Sequence, residues 1–145
     1  MTKEEAVLLI TAFSKNFNAK QKYLFDNLVL VGRTSLIFCP EFHKFYVDKN
    51  TLYFTANSFE IFQGLTPVLT KFADITYTSS YGLHYQLSFS HGEIKFFVVV
   101  MAPTLADGSL LTDYMRRAAH PLAPGAGISF NCLKPEVVMN HWFKH

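Results

Sequence analysis

Leu83, Tyr85, Leu87 and Phe89 alternate with His84, Gln86, Ser88 and Ser90, and from Glu93 to Met101 the chain is almost wholly apolar. Strict alternation is the signature of a half-buried strand. His91-Gly92 between the two runs fits a tight hairpin, because glycine takes the positive φ that such turns demand. With His91 and Gly92 as the loop, Phe89 faces Ile94, Leu87 faces Phe96, Tyr85 faces Val98 and Leu83 faces Val100. Each is an apolar cross-strand pair of the kind that stabilises a sheet. The opposite face is polar near the turn and apolar at Phe97, Val99 and Met101, so a second layer or a partner must cover that end.

The same reading extends along the chain. Thr2-Lys3-Glu4-Glu5 is a capping box, and Ala6, Leu9 or Ile10, Phe13 and Phe17 follow at helical spacing, predicting a helix over about residues 3–17. Asn18 can cap a second helix carrying Tyr23, Leu24, Leu28 and Val31, with Gly32 as its stop. Leu28–Val31 also reads as a short strand; helix is the favoured assignment. Leu36–Cys39 reads as a strand closed by Pro40. Residues 43–47 and 51–55 flank the turn-rich Asp48-Lys49-Asn50, predicting a hairpin over 43–55. Ser58 can cap a helix with Ile61, Phe62, Leu65, Val68, Leu69 and Phe72, although Gly64 and Pro67 interrupt it and Thr66-Pro67 is an alternative start.

Residues 74–79 add a third strand to the central pair, giving a meander over 74–101. Asp107 or Ser109 can cap a helix through Leu111, Tyr114, Met115 and Ala118. Pro121–Gly127 is a loop, 128–133 a last strand, and Lys134-Pro135 opens a terminal helix through Val138 and Trp142. Clustered hairpins with helices outside predict one α+β domain over residues 1–145, mainly antiparallel in its sheet.

Composition narrows the function. Half of the 145 residues are hydrophobic, 17% are charged, and the 15 phenylalanines supply a dense core or an interaction face. The net charge of +2 comes with scattered basic residues, so no electrostatic footprint for nucleic acid stands out. The longest apolar run, Phe96–Pro103, is far short of a membrane span. Cys39 and Cys132 lie far apart with no paired spacing, which fits reduced thiols in the cytoplasm.

No catalytic, metal or cofactor set stands out. Cys39 with His43, and His141 with His145, have loose ligand spacing, but a buried thiol and surface imidazoles explain them as well. Asp74, Glu93 and Lys95 make a nuclease-like set, yet a whole strand separates the carboxylates. Cys132 with His141 could pair nucleophile and base, but alternation makes Cys132 a core or edge position. Pro124–Gly127 is glycine-rich without the lysine and helix that a phosphate loop needs. Tyr77, Tyr81 and Tyr85, or Phe45, Tyr53 and Phe54, could stack bases on an open sheet, with few cations beside them. The remaining class is a non-enzymatic protein-binding module, an adaptor, chaperone or inhibitor, engaging a protein partner or a second copy of itself. Its expected contact residues are Phe97, Val99, Met101, Tyr53, Trp142 and His84. A single-stranded nucleic-acid binder and a metal-dependent hydrolase or nuclease are the alternatives; no cofactor and no membrane are expected.

Overall fold

A computed structural model of the chain describes residues 1–38, 50–71, 74–78, 82–103, 115–119, 129–134 and 136. Helices α1 (Lys3–Ser14), α2 (Lys22–Asp26) and α3 (Phe59–Leu69) accompany strands β1 (Leu28–Val31), β2 (Thr51–Ala56), β3 (Asp74–Thr78), β4 (Gly82–His91), β5 (Ile94–Met101), β6 (Met115–Ala119) and β7 (Ser129–Leu133). The strands form one sheet of seven in the order β3-β4-β5-β2-β1-β7-β6. β1 runs parallel to β7, and β2 parallel to β5, while the other neighbours are antiparallel. The architecture is therefore α+β, as the sequence predicts, but its sheet is mixed.

Helix starts follow the sequence closely. The Thr2 hydroxyl accepts from the Glu5 amide, and the Glu5 carboxylate accepts from the Thr2 amide, both at 3.2 Å. Ser58 likewise accepts from the Ile61 amide. α3 runs through Gly64 and Pro67 without a break. Pro67 and Gln63 both lie on its solvent side, so the carbonyl that proline cannot serve is open to water. Gly64 lets α2 approach: a Cβ there would stand 3.1 Å from a Leu24 methyl.

Several expected elements are corrected. Leu28–Val31 is a strand, and all four residues are buried; a strand covered on both faces shows no alternation and cannot be told from a helix by pattern. Leu36 and its neighbours belong to a 3-10 helix, Arg33–Phe38, rather than a strand. Met115–Ala119 is a strand despite its helix-favouring composition, because pairing with β7 outweighs local propensity. β2 has β1 and β5 as its two neighbours, so it is not half of a hairpin over 43–55; residues 43–47 lie outside the described residues. So do the expected terminal helix beyond Glu136 and the 121–127 loop.

The meander over 74–101 forms, but its central register is displaced. Phe89 pairs with Phe96, Leu87 with Val98 and Tyr85 with Val100, and the loop is Gly92-Glu93. Gly92 takes φ +62° and no described non-glycine residue has positive φ. Glycine at the first central position is the II′ arrangement; a type I′ loop at His91-Gly92 would have asked positive φ of the histidine. The displacement is two residues, so every side chain keeps its expected face.

One face of the sheet carries the main core. Leu28, Leu30, Leu52, Phe54, Ala56, Tyr85, Leu87, Phe96, Val98, Val100, Phe130 and Cys132 meet Ala6, Leu9, Ile10 and Phe13 of α1 and Phe62, Leu65 and Leu69 of α3. Phe13 is central: its ring lies 5.4 Å from Phe17, 5.9 Å from Phe25, 5.6 Å from Phe54 and 6.3 Å from Phe89. It thereby joins both N-terminal helices to two strands. The Tyr85 hydroxyl, under α3, hydrogen-bonds that of Thr66. On the other face Val29, Val31, Thr55, Val99, Asn131 and Leu133 are also buried, so the middle of the sheet is covered on both sides. Phe13→Ala should cost about 3–5 kcal/mol in denaturant unfolding, whereas Leu8→Ala, on the exposed side of the same helix, should stay within about 0.5 kcal/mol.

Candidate functional site at the end of β1

β1 ends at Gly32, whose φ of +79° lies in the left-handed region. The chain turns there into the 3-10 helix. The Ser35 amide donates to the Gly32 carbonyl at 3.2 Å, and the Ser35 hydroxyl donates to the same oxygen at 2.6 Å. Thr34 is only 3% exposed, and its Oγ1 is buried with no hydrogen-bond partner, the one such side-chain atom among the described residues. Leaving a buried hydroxyl unpaired costs about 1–3 kcal/mol. The other buried side-chain polar atoms of the described residues all find partners.

β2 and β5 flank the turn. A Cβ on Gly32 would lie 4.0 Å from Tyr53 Cδ2, so the tyrosine ring stands against the turn. Thr51 pairs with Phe97 and Tyr53 with Val99 across the parallel ladder, which the Phe97 amide prolongs by donating to the Asn50 carbonyl at 2.8 Å. Farther along the same face, the Thr55 hydroxyl donates to the Ala102 carbonyl at 2.8 Å.

Five of the six expected contact residues fall among the described residues. Tyr53, Phe97, Val99, Met101 and His84 share the face opposite α1 and α3, with His84 paired to Met101. Tyr53, Phe97, Met101 and His84 are half-buried and Val99 is buried. Trp142 lies outside the described residues.

The alternative chemistries do not assemble. Asp74 is level with Gln86 and Val99, while Glu93 precedes Val99 by six residues, about 20 Å along the strand. Tyr85 and Phe54 are fully buried in the core and offer no base a surface. Cys132 is buried on the core face; Cys39, His43, His141, His145, Phe45 and Tyr81 lie outside the described residues, as does the Pro124–Gly127 segment. Among the described residues no group of three His, Cys, Asp or Glu could hold a metal ion. No helix among them is long and apolar enough to cross a membrane.

In the sequence Gly32 reads as a helix stop, whereas here it closes a strand. The signal of the turn lies in Leu28–Ser35, an apolar run of strand length closed by glycine, then an arginine and two hydroxyl residues. Two small cavities lie elsewhere. One of about 180 Å³ sits between the end of α1 and α2, floored by Phe17 and Phe25. The other, about 120 Å³, lies between α1 and the β4–β5 hairpin, against Leu9, Phe89 and Phe96.

No protein-family model matches the chain, and no curated protein matches it by sequence. Its fold is similar to that of a solved structure from Thermotoga maritima, provisionally named a nucleotidyltransferase. The TM-score is 0.60, covering 99% of this chain and 86% of that one at 16% sequence identity. Identity this low shows a shared fold alone. That fold nevertheless corrects the expectation of a small non-enzymatic protein-binding module, because it is the architecture of a protein named as an enzyme.

Two substitutions test the turn. Thr34→Val keeps the shape and removes the unpaired hydroxyl, so it should raise unfolding stability by about 1 kcal/mol. Ser35→Ala removes the bond to Gly32 and should lower it by about as much. A loss of stability in Thr34→Val would mean that the hydroxyl is already satisfied.

Proposed function

We propose that this chain binds a nucleotide, as a protein of nucleotidyltransferase-like fold, with the phosphate groups at the turn Gly32–Ser35. The observation that carries the reading is the buried, unpartnered Thr34 hydroxyl at the carboxyl end of β1. A phosphate oxygen is an acceptor for that hydroxyl, and a charge-assisted bond is among the stronger hydrogen bonds available. The likeness in fold supports the choice of a nucleotide over other phosphate carriers.

Transfer of a nucleotidyl group ordinarily uses divalent cations clamped by carboxylates. The strand positions beside the turn are Thr51, Tyr53, Thr55, Phe97 and Val99, none of which is a carboxylate. The described residues therefore do not fit a metal pair at this place, and no transfer step is derived.

Isothermal titration of the whole chain with ATP, GTP, CTP and UTP tests the reading. At least one nucleotide should bind, and Thr34→Val, though stably folded, should bind it about tenfold more weakly or worse. Absence of binding by all four would overturn the assignment.

A further inference from the structure

We infer that the pocket between the end of α1 and α2 binds a small zwitterion with an apolar side chain, the chemistry of a free α-amino acid. The pocket measures about 180 Å³, and Ser14, Phe17, Asn18, Lys22, Phe25 and Asp26 line it. Its floor is apolar and fixed. Phe17 and Phe25 are buried, their ring centroids are 5.7 Å apart, and each packs against Phe13. The rim is held as well. The Asn18 amide donates to Gln21 Oε1 at 3.1 Å and the Gln21 amide donates to Asn18 Oδ1 at 2.9 Å, which closes the link between the two helices on itself. The Asp26 carbonyl accepts from Asn131 Nδ2, tying the end of α2 to β7. Because α2 leads into β1 at its amino end, the pocket lies at the opposite end of that strand from Gly32, and the inference stands apart from the nucleotide reading.

The two charges select the occupant. Lys22 is the first residue of α2 and Asp26 is the last. Each stands at the end that the helix dipole disfavours, since anions are stabilising near the amino end and cations near the carboxyl end. A lysine four residues before an acid is also the poorer order for a helical ion pair. Helix stability therefore accounts for neither residue, whereas a ligand with one charge of each sign accounts for both. Its carboxylate meets the Lys22 ammonium and its ammonium meets the Asp26 carboxylate, and hydrogen bonds between charged groups are among the strong ones. The two phenylalanines below take the apolar side chain. Size agrees with this occupant: a cavity of about 150 Å³ holds a benzene molecule, while sites for drug-sized ligands begin at about 300 Å³. A whole nucleotide is too large for the pocket.

Isothermal titration of the whole chain with L-leucine, L-methionine and L-phenylalanine tests the pocket, with glycine and with the amide and N-acetyl derivatives of the tightest of the three as controls. At least one of the three should bind. Glycine, which lacks the apolar side chain, and the two derivatives, each lacking one charge, should bind about tenfold more weakly or worse. Lys22→Met should remove the preference over the amide, and Asp26→Asn the preference over the N-acetyl derivative. Both variants should unfold at no lower denaturant concentration than the wild type, because each removes a charge opposed to the helix dipole. Absence of binding by all three amino acids at millimolar concentration, equal binding of the derivatives, or preferences unchanged in the variants would overturn the inference. A loss of stability in both variants would assign the two charges to the fold and overturn it as well.

Discussion

Leu28, Val29, Leu30 and Val31 are all shut away from water, and this two-sided burial of β1 constrains the rest of the structure. A strand in that position must pair its backbone on both edges, because a buried unpaired amide or carbonyl costs as much as a lost hydrogen bond. β2 and β7 supply those edges, one antiparallel and one parallel. The parallel partner comes from the far end of the chain, so the sheet closes around its centre only when residues more than a hundred positions apart meet. The Asn131 side chain adds to that closure, its Nδ2 donating to the Asp26 carbonyl at 2.8 Å, just before β1 begins. α1 then covers one side through Phe13 and its ring neighbours, and α3 through Phe62, Leu65 and Leu69.

The candidate site is a consequence of that centre. A fully buried strand must end somewhere, and Gly32 makes the ending abrupt. The polar groups just beyond it are therefore held close to the apolar core. Ser35 answers the problem by folding its hydroxyl back onto the Gly32 carbonyl. Thr34 finds no such answer. A sequence that had no use for the hydroxyl could place valine there at little cost in shape, which is why the threonine reads as a site residue.

The parts of the fold that the sequence reveals are those governed by local rules. The Thr2–Glu5 capping box, the Ser58 cap and the alternation along β4 each depend on neighbours within a few residues, and all are present. The faces of the central hairpin were legible too, although its pairing was displaced, because glycine can occupy either place in a two-residue loop. What could not be read depends on distant partners. Leu28–Val31 is a strand because β2 and β7 lie beside it, and Met115–Ala119 is a strand because β7 does. The parallel pairing of β2 with β5 leaves no mark on either segment alone. The convergence of Tyr53 and Phe97 was half visible: alternation put both on a sheet face, but only the strand order makes them neighbours beside Gly32.

β6 is the outermost described strand on the side of β7, and it carries Arg116 and Arg117 at its middle. An outer strand exposes a row of backbone groups that could pair with a neighbouring molecule. Charged residues in the middle of an outer strand are one means by which a protein discourages such pairing.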